Sequence, residues 1–259
     1  MKITVLGSGT SMGVPLIGCD CPVCTSDNPR NKRYRPSVLV SHEGKHVLID
    51  ASPDLRSQAL DFKVNEVHAV LFTHHHADHI LGIDDLRLYN FNLGAKMPCY
   101  SNRFTLKKLK GVFGYAFDDG ESEQSRPSLD PIEVNGPFDL FEMRITPFEL
   151  FHGSLPVLGF LFEDSAGQCF GYATDCSRIP EESFKMLSGV DLLILDALRH
   201  IPHPTHFSLE EAVEMARELK PRQTLLTHIA HQMEHEKVNS SLPSEIQLAH
   251  DGQVVDLSD

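Results

Sequence analysis

A chain of 259 residues is long enough for one large domain or two small ones, and 41% hydrophobic with 23% charged content is ordinary for a soluble globular protein. Thirty-six acidic residues against 23 basic ones leave a net charge of -13, which opposes long contact with a phosphate backbone and argues against long nucleic acids as partners. No apolar stretch approaches the roughly 18 residues of a membrane span, and the N-terminus lacks a basic segment followed by an apolar one. A cytoplasmic protein without a membrane partner is the expectation.

Lys2 to Gly7 reads as a first strand, short and rich in β-branched residues, running into Gly7-Ser8-Gly9-Thr10-Ser11-Met12-Gly13. That loop could cradle a phosphate, but it lacks the Lys-Ser/Thr ending of a P-loop and no helix pattern follows. A turn that lets backbone pass close to the metal site proposed below is the favoured reading. Residues 18–24 then crowd Cys19, Cys21 and Cys24 together, too close for an ordinary disulfide framework but within reach of one ion. A structural zinc closes its tetrahedron with a fourth ligand, and none lies nearby, so it must come from elsewhere; a reduced, metal-free cysteine loop is the alternative.

Residues 31–35 form the most basic run of an acidic chain, and Arg35 is a candidate for contact with an anionic substrate. Ser37 to His42 and His46 to Asp50 read as a hairpin around Glu43-Gly44-Lys45, and Pro53 to Phe62 as a helix with Ser52 as its N-cap.

Residues 69–79 are the stretch around which the rest is organised. An apolar run ends in Thr73 and delivers His74, His76, Asp78 and His79 to the loop beyond it. Imidazole and carboxylate suit zinc, manganese or iron, so this is a metal centre; a tag would be terminal and would lack the strand. A helix over Ile80 to Leu93 follows, then a strand and a helix over Pro98 to Lys110. Residues 111–136 turn loop-like and read as an exposed insertion, a lid or an oligomer contact.

Strands resume over Leu140 to Thr146 and Glu149 to Phe151, leading to His152. Val157 to Glu163 and Cys169 to Ala173 form a hairpin ending at Asp175, so both residues follow apolar strands as the first cluster does. Asp191 to Leu195 is a buried strand, and its loop carries His200, His203 and His206, among which spacing does not choose. Ser208 caps a helix over Leu209 to Leu219, Gln223 to Thr227 forms a strand into His228 and His231, and Ile246 to Leu257 reads as a closing hairpin around Asp251-Gly252. No linker composition interrupts the alternation, so one α/β domain over residues 1–259, with its site at strand ends, is expected.

The order His74-x-His76-x-Asp78-His79, then His152, Asp175 and His228, resembles the metallo-beta-lactamase superfamily. The resemblance implies an αββα sandwich, two mixed sheets packed face to face between outer helices. It implies that His74, His76 and His152 hold one divalent ion, manganese or zinc, that Asp78, His79 and His228 hold the other, and that Asp175 bridges them. Where many members carry Asp-x-Gly this chain has Asp50-Ala51-Ser52, so Asp50 is read as a partner of a ligating histidine rather than a ligand.

Within the superfamily the chain is similar to the cyclic-phosphate phosphodiesterases of the carbon-phosphorus lyase pathway, which act on 5-phosphoribosyl 1,2-cyclic phosphate. That similarity supplies His231 as the fourth ligand of a structural zinc on Cys19, Cys21 and Cys24, and it places His206 at the substrate phosphate, where it protonates the leaving oxygen or stabilises charge. The implied activity is hydrolysis of a small phosphodiester by a metal-bridging hydroxide, with Asp78 essential. A thioesterase or lactonase using the same metal motif is an alternative, as is a non-catalytic metal-binding member. A transfer-RNA processing ribonuclease is disfavoured by the acidic charge, and a homodimer is left open.

Overall fold

In the computed structural model, which describes residues 1–118 and 125–258, side-chain alternation along the strands sets the layering. Val47 and Ile49 point to one face of their strand and Leu48 to the other, all fully buried, so the sheet is covered on both sides. Strands β1 (Lys2–Gly7), β2 (Ser37–His42), β3 (Lys45–Ile49), β4 (Ala69–Leu71), β5 (Met97–Ser101) and β6 (Leu129–Glu133) lie side by side in the first sheet. The second contains β7 (Phe138–Leu140), β8 (Met143–His152), β9 (Leu155–Asp164), β10 (Cys169–Ala173), β11 (Leu192–Asp196), β12 (Gln223–Thr227) and β13 (Ile246–Leu248), also in chain order. The last strand, β14 (Val254–Asp256), returns to the first sheet and pairs antiparallel with β1.

Between the sheets, Val47 and Ile49 meet Phe160, Phe162, Tyr172 and Ile194 in one continuous core. Each such side chain contributes roughly 1.5–3 kcal/mol by leaving water. The outer face of the first sheet is covered by α1 (Leu55–Asp61), α2 (Ala77–Ile80), α3 (Arg87–Leu93) and α4 (Arg103–Val112), which bury Leu55, Ile80, Tyr89 and Leu109 on it. On the second, α5 (Glu181–Leu187), α6 (Leu209–Leu219) and α7 (His235–Asn239) bury Leu187, Ala216 and Val238. The architecture is the αββα sandwich, with both sheets mixed.

Strand direction gathers the site. β3, β4 and β5 run parallel, as do β10, β11 and β12; β8 is antiparallel to β9, which is antiparallel to β10, so β8 ends on the same edge as β10. Asp50, His74, His152, Asp175, Asp196 and His228 all stand at or just beyond the C-terminal ends of these strands. Among the described residues no helix is long and apolar enough to cross a membrane.

Several local expectations need correction. The helix read over Pro53 to Phe62 begins at Leu55, because Asp54 accepts from Arg35 instead of capping it and Ser52 is drawn to Gln58 and the Asp54 amide. The helix read over Ile80 to Leu93 is split into α2, a 3-10 turn over Ile83–Leu86 and α3. The break is at Gly82, where a Cβ would fall 2.0 Å from the Ser52 carbonyl oxygen. Within 111–136, Leu129–Glu133 is not loop but the edge strand β6, paired parallel with β5; residues 119–124 of that segment lie outside the described residues. The C-terminal pair is not a hairpin: β13 pairs with β12 and β14 with β1, so the turn at Asp251-Gly252 passes the chain between sheets.

Candidate metal centre

His74 follows β4 through Thr73, and His76 stands before the short α2 that carries Asp78 and His79. Helical spacing throws those two toward the edge where β10 and β12 end. His79 Nε2 lies 3.2 Å from Asp78 Oδ2 and 3.2 Å from Asp175 Oδ2, and His228 Nε2 lies 3.4 Å from Asp175 Oδ1. His74 Nε2 is 4.0 Å from Asp175 Oδ1. Two groups result, His74 with His76 and His152, and Asp78 with His79, Asp175 and His228. Asp175 touches both.

The far side of each ring fixes which nitrogen faces inward. Asp50 is buried and takes His79 Nδ1 at 2.7 Å, the Thr73 amide at 2.8 Å and the Thr73 hydroxyl at 2.8 Å. That hydroxyl in turn meets His74 Nδ1 at 3.0 Å. His152 Nδ1 donates to the Thr205 carbonyl at 2.8 Å, an approach that Gly153 permits, since a Cβ there would come within 2.9 Å of Thr205. Each ring therefore presents Nε2. Asp50, Asp175 and His228 hold positive φ angles of 61°, 54° and 61°. Three non-glycine residues in that region, each just past a strand, store backbone strain of order 1–3 kcal/mol apiece at this one edge.

The donor set fits a pair of cations. Nε2 of His74, of His79 and of His228 are buried without a hydrogen-bond partner among the described residues. Each would cost about 1–3 kcal/mol if nothing took its lone pair. With no cation bound, burial opposes charge on Asp175 and Asp78, and the protons that these carboxylates hold on His79 and His228 keep both acids low; a bound cation would stand in place of those protons. Burial and the neighbouring His79 keep His74 well below its ordinary value, leaving a neutral ring with a free lone pair.

A second cluster forms far along the chain. Sγ of Cys19, Cys21 and Cys24 lie 3.3, 3.4 and 3.6 Å from His231 Nδ1. Tetrahedral zinc, with Zn–S about 2.3 Å and Zn–N about 2.0 Å, separates sulfur from nitrogen by about 3.5 Å, so these four side chains fit one ion. Hydrogen bonding, chiefly from the Cys24 amide, lowers Cys21 to about 6, while burial raises Cys24 to about 11.

His206 joins the histidine–aspartate cluster at its rim, with a ring nitrogen within 4.8 Å of ligand atoms of His152 and Asp175. Its Nδ1 donates to Asp196 Oδ2 at 2.8 Å, an oxygen that also takes the Cys176 amide at 2.8 Å. The ring stacks on His228 at 4.6 Å and 13°, lies 4.5 Å from the His152 ring and lines the neighbouring cavity, with Nε2 free of the Asp196 bond. Asp196 is the residue that the spacing analysis did not single out, although it ends a buried strand just as Asp175 follows one. His203 lines the cavity and His200 is exposed. Arg35 pairs its Nε with Asp54 at 2.9 Å, and its guanidinium passes close to Gly13 of the cavity wall, while Arg33 is buried and donates to the Ala230 and Met233 carbonyls.

Residues 45–229 match the family described as the beta-lactamase superfamily domain, and the chain belongs to that superfamily. Among solved structures, one described as a new diphosphatase from the PhnP family is 46% identical with a TM-score of 0.90, covering 98% of this chain and 96% of that one. An octanoyltransferase of Porphyromonas gingivalis is 34% identical over 257 residues, 97% of this chain but 51% of that protein, so the chain spans about half of its length. Coenzyme PQQ synthesis protein B of Methylobacterium radiotolerans is 28% identical over 229 residues, 76% of this chain and 72% of that one. Family, fold and side-chain clusters together support a metal-dependent hydrolase.

Proposed function

We propose that the chain hydrolyses a phosphorus–oxygen bond at a diester-type phosphorus, one with two bridging oxygens and a single negative charge, in a small substrate. Phosphodiesters and diphosphate diesters share that centre. His74, His76 and His152 would hold one divalent ion, zinc or manganese, Asp78, His79 and His228 the other, and Asp175 both; Cys19, Cys21, Cys24 and His231 would hold a structural zinc. When bound, the paired ions supply an activated water and stabilise charge developing on phosphorus.

The observation that carries this reading is the Asp196-backed His206 at the cavity wall. A departing alkoxide needs a proton, and an imidazole whose Nδ1 is held by Asp196 has Nε2 free to deliver it. A departing thiolate leaves without one, which disfavours the thioesterase alternative. The similar PhnP-family structure, described as a diphosphatase, favours the diphosphate form of the same reaction as a second reading.

The test is hydrolysis of bis(4-nitrophenyl) phosphate by the purified chain with Mn²⁺ or Zn²⁺, against an Asp78→Ala control. Turnover lost in the variant supports the reading. No turnover at full metal occupancy of this diester or of a diphosphate diester, or hydrolysis of aryl carboxylic esters alone, overturns it in favour of a binding protein or a carbonyl hydrolase.

A further inference from the structure

Next to the clustered histidines lies a cavity of about 230 Å³, whose lining includes Thr10 to Gly13, Arg199 and His203, with His206 shared between cavity and site. At about 30 Å³ per water it has room for roughly eight, the scale of a phosphorylated sugar rather than of a polynucleotide. The chain carries 36 acidic residues, yet among the described residues lining this cavity there is no carboxylate. Arg199 is the one lining residue with a permanent positive charge.

That guanidinium is held in place. Nε donates to the Ile201 carbonyl at 3.1 Å and Nη2 to the Pro202 carbonyl at 3.3 Å, while the Arg199 carbonyl accepts from the Leu209 amide at 2.8 Å at the start of α6. A cation anchored by its own loop meets an anion with little ordering cost. The lining also includes Thr10 and Ser11, from the glycine loop that the function has not otherwise used.

We infer that this cavity receives the leaving group and that Arg199 selects one that is itself a phosphate, so that the substrate is a diphosphate diester of small polar groups; this rests on the diester-type reaction proposed above. Water oxygen bonds to one phosphorus, the bridging bond between that phosphorus and the central oxygen breaks, and its electron pair leaves on the second phosphate. The two water protons pass to solvent, and two phosphate monoesters result. The departing dianion, not the attacked phosphorus, is what Arg199 meets.

The experiment compares kcat/KM of the manganese-loaded chain on ADP-ribose, a diphosphate diester, and on bis(4-nitrophenyl) phosphate, whose leaving group carries no phosphate. Arg199→Gln is expected to lower the ratio of the two at least tenfold, the scale of one charge-assisted hydrogen bond, and Arg199→Lys to restore part of it. Metal content and melting temperature are measured on each variant. An unchanged ratio in Arg199→Gln, or wild-type hydrolysis of the diester with none of ADP-ribose, overturns the inference and leaves the diester reading standing. Failure of the wild type on both substrates overturns that reading and the inference with it.

Discussion

One oxygen of Asp196 lies 2.8 Å from Nδ1 of His206 and thereby leaves Nε2 as the free nitrogen of that ring. The pair has the geometry of an oriented proton donor. Because the proton matters most when the departing oxygen is a poor leaving group, the loss on removing the donor depends on the substrate. His206→Ala is expected to lower turnover about 10²- to 10⁴-fold on alkyl phosphodiesters and far less on 4-nitrophenyl diesters. Rates over a series of leaving groups check this; equal losses across the series would assign His206 a role in binding alone.

Asp50 acts on the metal only through His79 and Thr73. Asp50→Asn replaces the acceptor for His79 Nδ1 by a group that can point its amide the wrong way, with zinc affinity expected to fall about 10- to 100-fold. Metal content at buffered free zinc measures it. Retention of wild-type affinity would mean that the ring is held by packing instead.

Cys21→Ser removes one thiolate of the four-residue cluster around His231. One zinc equivalent per chain should be lost and the melting temperature should fall by several degrees, since a structural zinc contributes folding energy directly. Elemental analysis and thermal unfolding read both. An unchanged zinc stoichiometry would contradict the assignment.

Asp251 is half-buried, taking the Ser8 amide and hydroxyl and the Tyr34 amide, and desolvation of its carboxyl raises its pKa from 3.8 to about 7. The folded chain then holds a proton that the unfolded chain has lost between those values, so this group's contribution to stability falls as pH rises from about 4 to about 7. Asp251→Asn removes that dependence. The variant should be less stable than wild type, having lost an acceptor, but the gap should narrow between pH 5 and pH 8 in thermal unfolding. A constant gap would refute the protonation.

Much of this was legible in sequence because it is local. The apolar run into His74 and the Ser208 capping signal each lie within a dozen residues, and α6 and β12 fall where periodicity puts them. What failed depends on partners far along the chain. Gly82 breaks a helix because of Ser52, and β14 leaves its neighbour to join β1. Asp196 looked like any strand end until folding set His206 against it.

The cysteine cluster joins Cys19 to a histidine 212 residues later. An ion held there is a removable cross-link between segments that the unfolded chain leaves far apart. By the loop-closure arithmetic used for covalent bridges, a ring of that size restricts the unfolded ensemble by about 5 kcal/mol. Zinc supply would then set how long the chain survives proteolysis as well as how the cavity wall is shaped.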